Sequence, residues 1–154
     1  TKSLGAKYLE DNYRKVSLLY LFDTFGTNDN RNRVIDTFIH KVLKKEPIKL
    51  PKKDVIINVS HVSEVCEAII DCINLPSKNY CIMSKNNLSL KNIAKQIMEI
   101  IGNTVEIEDL PNNIDFLSKL KEDNLPKNIF PTSNAISFNN HLKSRIDEIQ
   151  SLHS

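Results

Sequence analysis

The chain has 154 residues, of which 40% are hydrophobic and 26% are charged. This length and composition predict one domain, residues 1–154, with a real hydrophobic core. The formal net charge is only +2 and the basic residues are spread along the chain, so we expect no nucleic-acid partner. No apolar run approaches the ~18 residues of a transmembrane helix, so we also expect no membrane partner.

Three cysteines, Cys66, Cys72 and Cys81, are an odd number and form no Cys-x-x-Cys motif. The N-terminus also lacks an apolar stretch of the signal-peptide type. Both features predict reduced thiols and a cytoplasmic location, with the cysteines as small core residues. The sequence opens with Thr-Lys-Ser-Leu-Gly rather than with Met, and we expect the chain to be part of something larger.

In chain order, residues 3–15 predict a helix. Its inward-facing side chains are expected to be Leu4, Tyr8, Leu9 and Tyr13. Residues 16–22, Val-Ser-Leu-Leu-Tyr-Leu-Phe, are almost wholly apolar, which is typical of a strand buried on both faces of a parallel sheet. The polar residues 26–32 predict a loop. Apolar residues at helical spacing then predict a helix over residues 34–45, which Pro47 ends.

Strands and helices alternate through the rest of the chain. Short apolar runs predict strands at residues 55–59, 79–83 and 105–107. Helices follow the first two of these, with Ser63 and Ser89 as the predicted N-caps and Gly102 as the end of the second. Residues 112–128 are polar and irregular, with one short helix expected near 114–120, and a last helix starts at about Ser137. Its predicted inward side chains are Phe138, Leu142, Ile146 and Ile149. This alternation predicts an α/β fold with a partly parallel sheet.

The glycine content argues against a dinucleotide site within the chain. The three glycines, Gly5, Gly26 and Gly102, form no Gly-x-Gly-x-x-Gly turn. Without that turn a pyrophosphate has no close backbone approach and no open helix N-terminus. We therefore expect no tight binding of a dinucleotide by this chain alone.

The histidines give little sign of chemistry. His40, His141 and His153 have no metal-ligand partner at a useful spacing, and we interpret each as a surface residue. His61 follows a strand and precedes a helix cap, so it could face a cleft, although a structural role is the stronger interpretation. Ser60 and His61 are not a nucleophile–base pair by adjacency, because neighbours on a strand point to opposite faces. No metal site is predicted.

Asp23 and Thr24 are the polar residues that come directly after the apolar run of residues 16–22. Ligands of open α/β sheets bind outside the carboxyl ends of the strands, so these two residues are candidates for a binding site. The alternative is a loop in which Asp23 satisfies its own turn.

Three segments carry a resemblance to a known family. Residues 21–34 begin Leu-Phe-Asp-Thr-Phe-Gly. They resemble a motif of extended short-chain dehydrogenases in which a strand is followed by Asn or Asp, two further residues and Gly. Glu-Pro-Ile at residues 46–48 and Val-Ser-His-Val-Ser-Glu-Val at 59–65 resemble the family's next two motifs, the second a valine-histidine-valine turn. The resemblance covers about residues 1–110 and is to NAD-dependent sugar-nucleotide epimerases and dehydratases. The Asp-Thr-aromatic-Gly version is most similar to the CDP-abequose and CDP-paratose synthase branch.

The resemblance implies the C-terminal part of a Rossmann-type parallel sheet with a small α/β substrate-binding lobe, and with the dinucleotide-binding half missing. The implied function is that of a substrate-binding fragment of an NAD(P)-dependent epimerase, dehydratase or reductase of carbohydrate biosynthesis. A nucleotide sugar would be its ligand, NAD or NADP would bind only the intact protein, and the fragment would be inactive alone. A homodimer through the helix of residues 3–15 is also implied. The alternatives are a non-catalytic nucleotide- or partner-binding domain on the same scaffold, and a structural domain without a ligand.

The resemblance also implies roles for single residues. Lys2 aligns with the lysine of a Tyr-x-x-x-Lys motif whose tyrosine would precede Thr1. The implied contacts with the sugar and the nicotinamide end are Phe22, Asp23 and Thr24. Asn32 and Arg33 align with contacts to the diphosphate, and Ile48 and Lys49 with the lining of the base pocket.

Several family positions are substituted in this chain. Tyr20 stands where many relatives have arginine, and Ile57-Asn58 stand where many have Arg-Asp. Ser63 replaces an aspartate of the valine-histidine turn, and Thr27 replaces a proline. A standard catalyst, a catalyst with an altered substrate and a degenerate member all stay open for the parent protein.

Overall fold

The structure, a computed structural model, describes residues 2–29, 31, 33–85, 87–110, 125–133 and 136–152. These residues form five helices: α1 Lys2–Asn12, α2 Val34–Leu43, α3 Val62–Cys72, α4 Leu90–Ile101 and α5 Phe138–Ser151. The first four strands are β1 Leu19–Leu21, β2 Asp23–Phe25, β3 Ile48–Leu50 and β4 Ile56–His61. The others are β5 Tyr80–Met83, β6 Asn87–Ser89, β7 Ile107–Asp109 and β8 Asn128–Pro131.

The strands pair into three small sheets. In the first, β1, β5 and β8 are parallel in that order. In the second, β4 is parallel to β2 on one side and antiparallel to β6 on the other. The third is the parallel pair of β3 and β7. The predicted α/β class with a partly parallel sheet is confirmed.

The main core lies among α2, α4, α5 and the strands β2, β3 and β4. Its completely buried members include Ile39, Val42, Ile93, Ile97 and Leu142. Each buried aliphatic side chain of this size stabilises the fold by about 1.5–3 kcal/mol relative to exposure. A smaller cluster packs α3 against one face of the β1–β5–β8 sheet through Val65, Ala68, Cys72 and Ile82.

Local signals predicted several boundaries correctly. The helix expected over residues 34–45 is α2, and α5 starts after Ser137 with Leu142, Ile146 and Ile149 buried. Ser89 caps α4 by accepting a hydrogen bond from the Asn92 amide at 3.1 Å. Gly102 ends that helix in the left-handed conformation, with φ at 76°.

The prediction for residues 16–22 is only partly correct. The strand β1 lies within this run but is shorter than predicted, and a second strand, β2, precedes the loop predicted over residues 26–32. Leu21, at the end of β1, is 48% exposed rather than buried. Leu21 lies on the same face as Ile82, which packs against α3, but within the described residues β1 pairs only with β5 and its outer edge has no neighbouring strand. On the other face Ile129 is 64% exposed.

The orientation predicted for the first helix is also wrong. The apolar side chains of α1 face outwards, and none of its residues is buried. The exposed set comprises Leu4, Tyr8, Leu9 and Tyr13. Helical spacing identifies the apolar face of a helix but not what covers it.

Other differences concern short elements and caps. The N-cap of α3 is His61 and not Ser63, and its Nδ1 accepts a hydrogen bond from the Ser63 amide at 3.3 Å. The strand expected at residues 105–107 lies at Ile107–Asp109, and β3, β6 and β8 were not predicted. The short helix expected near residues 114–120 lies outside the described residues. Over the part of the chain that the structure covers, no helix combines the length and apolar character of a membrane span.

Candidate functional site

The candidate site forms where β2 and β4 end side by side. Phe25, the last residue of β2, pairs with His61, the last residue of β4. Because the strands are parallel, the chain leaves both at the same edge of the sheet. A pocket of about 260 Å3 opens there, lined by Thr24, Gly26, Arg31 and neighbouring residues. We call residues 26–29, 31 and 33 the arginine loop.

Gly26 allows the arginine loop to pass close to the start of α3. A Cβ atom at Gly26 would overlap Cγ1 of Val62 and would lie 3.4 Å from Nε2 of His61. A side chain at this position would therefore force Val62 to move.

The structure brings two predicted site residues together. Nη1 of Arg33 lies 3.3 Å from Oδ1 of Asp23, and the two side chains are 40% and 48% exposed. Arg33 occupies the N-cap position of α2, and its side chain makes no capping hydrogen bond. Both side chains are therefore accessible to solvent, although neither residue is among those that line the pocket. Their role in binding stays a prediction.

A second acid–base pair in the arginine loop was missed. Nε and Nη2 of Arg31 donate to the two carboxylate oxygens of Asp29, at 2.7 and 2.8 Å. These hydrogen bonds lower the pKa of Asp29 to about 2. Arg31 lines the pocket, and its side chain is 56% exposed. The short spacing of the two residues in the sequence was a usable signal.

The other predicted residues lie in different surroundings. Thr24 is half-buried in β2 opposite Ser60, and Phe22 is half-buried between β1 and β2. Ile48 is completely buried in the main core, which leaves its side chain no surface for a ligand. Lys49 is exposed, 3.5 Å from Glu108.

Neither Ile48 nor Lys49 lines the pocket, because β3 pairs with β7 in a separate sheet. Lys2 is exposed at the start of α1, and Asn32 lies outside the described residues.

A buried cluster of ionisable side chains lies directly behind the pocket. The rings of His61 and His141 stack with centroids 3.9 Å apart and an interplanar angle of 10°. Nε2 of His141 is 3.5 Å from Oε1 of Glu64. Phe25 packs edge-on against His61 with centroids 5.3 Å apart. The cluster joins β2, β4, α3 and α5.

The interpretation of His141 as a surface residue is wrong, because only 7% of it is exposed. Its spacing from Leu142, Arg145 and Ile146 puts it on the inward stripe of α5, and that spacing was the missed signal.

Burial, and then the charge of His141, lower the pKa of His61 to about 4. Burial raises the pKa of Glu64, against the opposing effect of His141. In the part of the chain described here, no group of His, Cys, Asp and Glu is placed to hold a metal ion.

These features define a class of fold. No protein-family model matches the chain. The chain is similar to UDP-glucuronic acid 4-epimerase from Bacillus cereus, solved with UDP-glucuronic acid and NAD, with a TM-score of 0.75 and 14% identity. It is also similar to dTDP-glucose 4,6-dehydratase from Bacillus anthracis, solved with NAD, with a TM-score of 0.70 and 17% identity. The chain has the fold of the C-terminal half of the extended short-chain dehydrogenases.

By sequence the chain is similar to the CDP-abequose synthase of Yersinia pseudotuberculosis. The two are 26% identical over 108 residues, in an alignment that covers 64% of this chain and 38% of the relative. The predicted resemblance is therefore confirmed. The two solved structures are matched over 98% and 97% of this chain but over 50% and 49% of their own length. The chain thus spans about half the length of these structures.

Replacing Gly26 by Ala tests the close approach at the pocket. The new Cβ overlaps Val62, and we expect the free energy of unfolding in urea to fall by about 1–3 kcal/mol. Adding Val62→Ala removes the overlapping Cγ1 and should restore part of this loss. In the control variant Gly5→Ala, the new Cβ meets nothing within 4 Å. That change lies inside α1 and should be neutral or stabilising by up to ~1 kcal/mol. Equal stability of Gly26→Ala and the wild type would contradict the close approach.

The histidine cluster predicts that acidification destabilises the protein. His61 has a pKa of about 4 when folded and regains its ordinary 6.5 on unfolding. The unfolded chain therefore binds more protons between these values, so the free energy of unfolding should fall as the pH drops from 6.5 to 4. His61→Asn keeps an acceptor for the Ser63 amide and removes the titration, so urea unfolding across this range should show a shallower slope.

Glu64 acts in the opposite direction. Its raised pKa means that the folded state binds the proton more tightly, so its contribution to stability grows on acidification. Glu64→Gln should therefore make the acid-induced loss steeper. An unchanged slope in His61→Asn would show that His61 is not the titrating group.

Proposed function

We propose that this chain is the substrate-binding part of an NAD(P)-dependent enzyme that epimerises, dehydrates or reduces a nucleotide sugar. The observation that carries the proposal is the pocket at the carboxyl ends of β2 and β4, with Arg31 at its wall and an exposed Arg33 two residues further along the arginine loop. Ligands of open α/β sheets bind at this edge. Guanidinium groups bind phosphate oxygens through paired hydrogen bonds, as a sugar diphosphate requires.

The proposed roles combine residues that line the pocket, Thr24 and Arg31, with residues outside its lining. Asp23 and Thr24 hydrogen-bond hydroxyl groups of the sugar, and Phe22 packs beside them. Arg33, with Asn32, holds the diphosphate, and the exposed Arg31 adds a second guanidinium to the same loop. Lys49 contacts the nucleotide base through its exposed side chain rather than through the buried Ile48.

In the intact protein we propose that Lys2 assists a tyrosine in proton transfer. NAD or NADP binds the intact protein, with no tight dinucleotide binding by this chain. Several observations support a cofactor-binding half in the intact protein. The outer edge of β1 is unpaired within the described residues, and one face of its sheet is partly open, whereas parallel sheets are normally covered on both faces. The similar structures are about twice as long and hold NAD. Turnover of a CDP- or UDP-sugar by this chain alone would contradict the proposal.

One observation favours a second candidate, a non-catalytic domain that binds a nucleotide or a partner protein. Among the described residues that line the pocket there is no Tyr, His, Lys or Cys. The one carboxylate there, Asp29, has a pKa of about 2, too far from neutrality for efficient proton transfer. On this alternative the pocket only binds, and the sugar adds little affinity.

The proposal includes a homodimer and a cytoplasmic location. The apolar side chains of α1 are exposed, Leu4 at 72% and Tyr8 at 62%, which supports contact with a second copy. The three cysteines carry free thiols, which supports a reducing compartment. A sedimentation mass of a single chain at micromolar concentration would contradict the dimer.

Titration calorimetry with CDP, UDP and their glucose conjugates tests the proposed site. We expect Arg33→Ala to weaken nucleoside-diphosphate binding by about 10-fold or more, because a charge-assisted hydrogen bond contributes about 1.5–3 kcal/mol. Arg14→Ala is the matched control, since Arg14 is also exposed but precedes β1 at the opposite end of the strand.

The sugar conjugates separate the two candidate functions. Tighter binding of CDP-glucose or UDP-glucose than of the bare diphosphate supports the substrate-binding part of an enzyme. Equal affinities favour the nucleotide-binding alternative. Identical binding by the wild type and Arg33→Ala would remove Arg33 from the site.

A further inference from the structure

The C-terminal helix α5 contacts the arginine loop at consecutive residues. Oε1 of Glu148 accepts a hydrogen bond from the backbone amide of Asn28 at 3.0 Å. Nη2 of Arg145 donates to the backbone carbonyl of Asp29 at 2.9 Å. Glu148 and Arg145 are three residues apart, so they lie on one side of α5. Two side chains of this helix thus bind the amide of one loop residue and the carbonyl of the next.

Arg145 is itself fixed in place. Its Nε and Nη2 donate to both carboxylate oxygens of Asp36 in α2, at 2.9 and 3.0 Å, and its Nη1 lies 2.8 Å from Oε2 of Glu148. Only 5% of Arg145 is exposed. A paired guanidinium has a rigid, planar set of donors, so it presents a fixed contact to the Asp29 carbonyl.

The arginine loop turns at the residue that Glu148 contacts. Asn28 has a φ of 59°, in the left-handed region, which Asn adopts more readily than other residues with a side chain. Glu148 binds the amide of this residue, and the next residue, Asp29, orients Arg31 by two hydrogen bonds. The contacts therefore run from Asp36 through Arg145 and Asp29 to the guanidinium at the pocket wall.

We infer that Glu148 and Arg145 are positioning residues, which hold the arginine loop in the shape that presents Arg31 to a nucleoside diphosphate. The inference rests on the proposed function, because it assigns α5 a role in binding at that same pocket. Neither residue lines the pocket. Their effect on a ligand passes through the loop backbone.

Glu148 is the better residue to substitute, because it is 23% exposed whereas Arg145 is buried with its partner. Glu148→Ala removes the acceptor for the Asn28 amide. We expect hydrogen exchange at Asn28 to accelerate by about 10-fold or more, since a hydrogen bond to a charged group is lost. The dissociation constants for CDP and UDP should rise by about 5- to 10-fold, in line with one lost positioning contact. Amides of the buried residues of α4 should keep their exchange rates.

Two further variants make the test specific. Glu148→Gln keeps a carbonyl acceptor for the Asn28 amide but loses the oxygen that faces Nη1 of Arg145, so it should restore Asn28 exchange and CDP or UDP affinity only in part. Asp147→Ala removes an exposed carboxylate from the same helix and should leave both unchanged. Slower Asn28 exchange in Glu148→Gln than in Glu148→Ala, without any gain in affinity, would overturn the positioning role.

The outcomes separate this inference from the proposed function. Faster exchange throughout α4 in Glu148→Ala would show a general loss of stability and overturn the inference. CDP or UDP binding to Glu148→Ala with wild-type affinity would overturn it as well, while leaving the proposed function intact. A wild-type chain that binds neither CDP nor UDP would overturn the proposed function, and the inference with it.

Discussion

The parallel pairing of β2 with β4 is the constraint on which the candidate site depends. Since Phe25 lies opposite His61, the arginine loop and the start of α3 leave the sheet at one edge. A shift of one residue in β2 would exchange the faces of Thr24 and Phe25. Phe25 would then leave the core for solvent, so burial of one aromatic ring fixes the register that brings Gly26 against Val62.

The helix α5, near the C-terminal end of the sequence, also holds the arginine loop of the site in place. Arg145 contacts α2, the arginine loop and its own helix at once. Taking an ion pair out of water is costly, and the cost is offset only when the hydrogen-bonding groups find good partners. Arg145 meets this condition through two oxygens of Asp36, one of Glu148 and the Asp29 carbonyl. The same residue thus links packing of the core to the shape of a loop on the surface.

Elements with a local sequence signal were predicted correctly, whereas elements that depend on distant partners were not. Ser89, Gly102 and the apolar stripe of α5 are local signals, and each predicted its element correctly. β3, β6 and β8 have three or four residues each, so they exist only through their partners and escaped prediction. Of the site, Asp23 was predicted from its place after a strand and Arg33 from the family resemblance, but their contact was not predicted. The burial of His141 had a signal in its spacing along α5, but its contacts with His61 and Glu64 had none, because these partners lie far away in the sequence.

Both arginines of the loop have a carboxylate neighbour, Asp29 for Arg31 and Asp23 for Arg33. In the proposed function an incoming anion would displace these carboxylates from the guanidinium groups, and not water alone. Multiply charged anions are favoured over chloride in such an exchange, because they gain more from two guanidinium groups at once. Added salt screens the carboxylates as well as the ligand, so the affinity should vary less steeply with ionic strength than for two unpaired arginines.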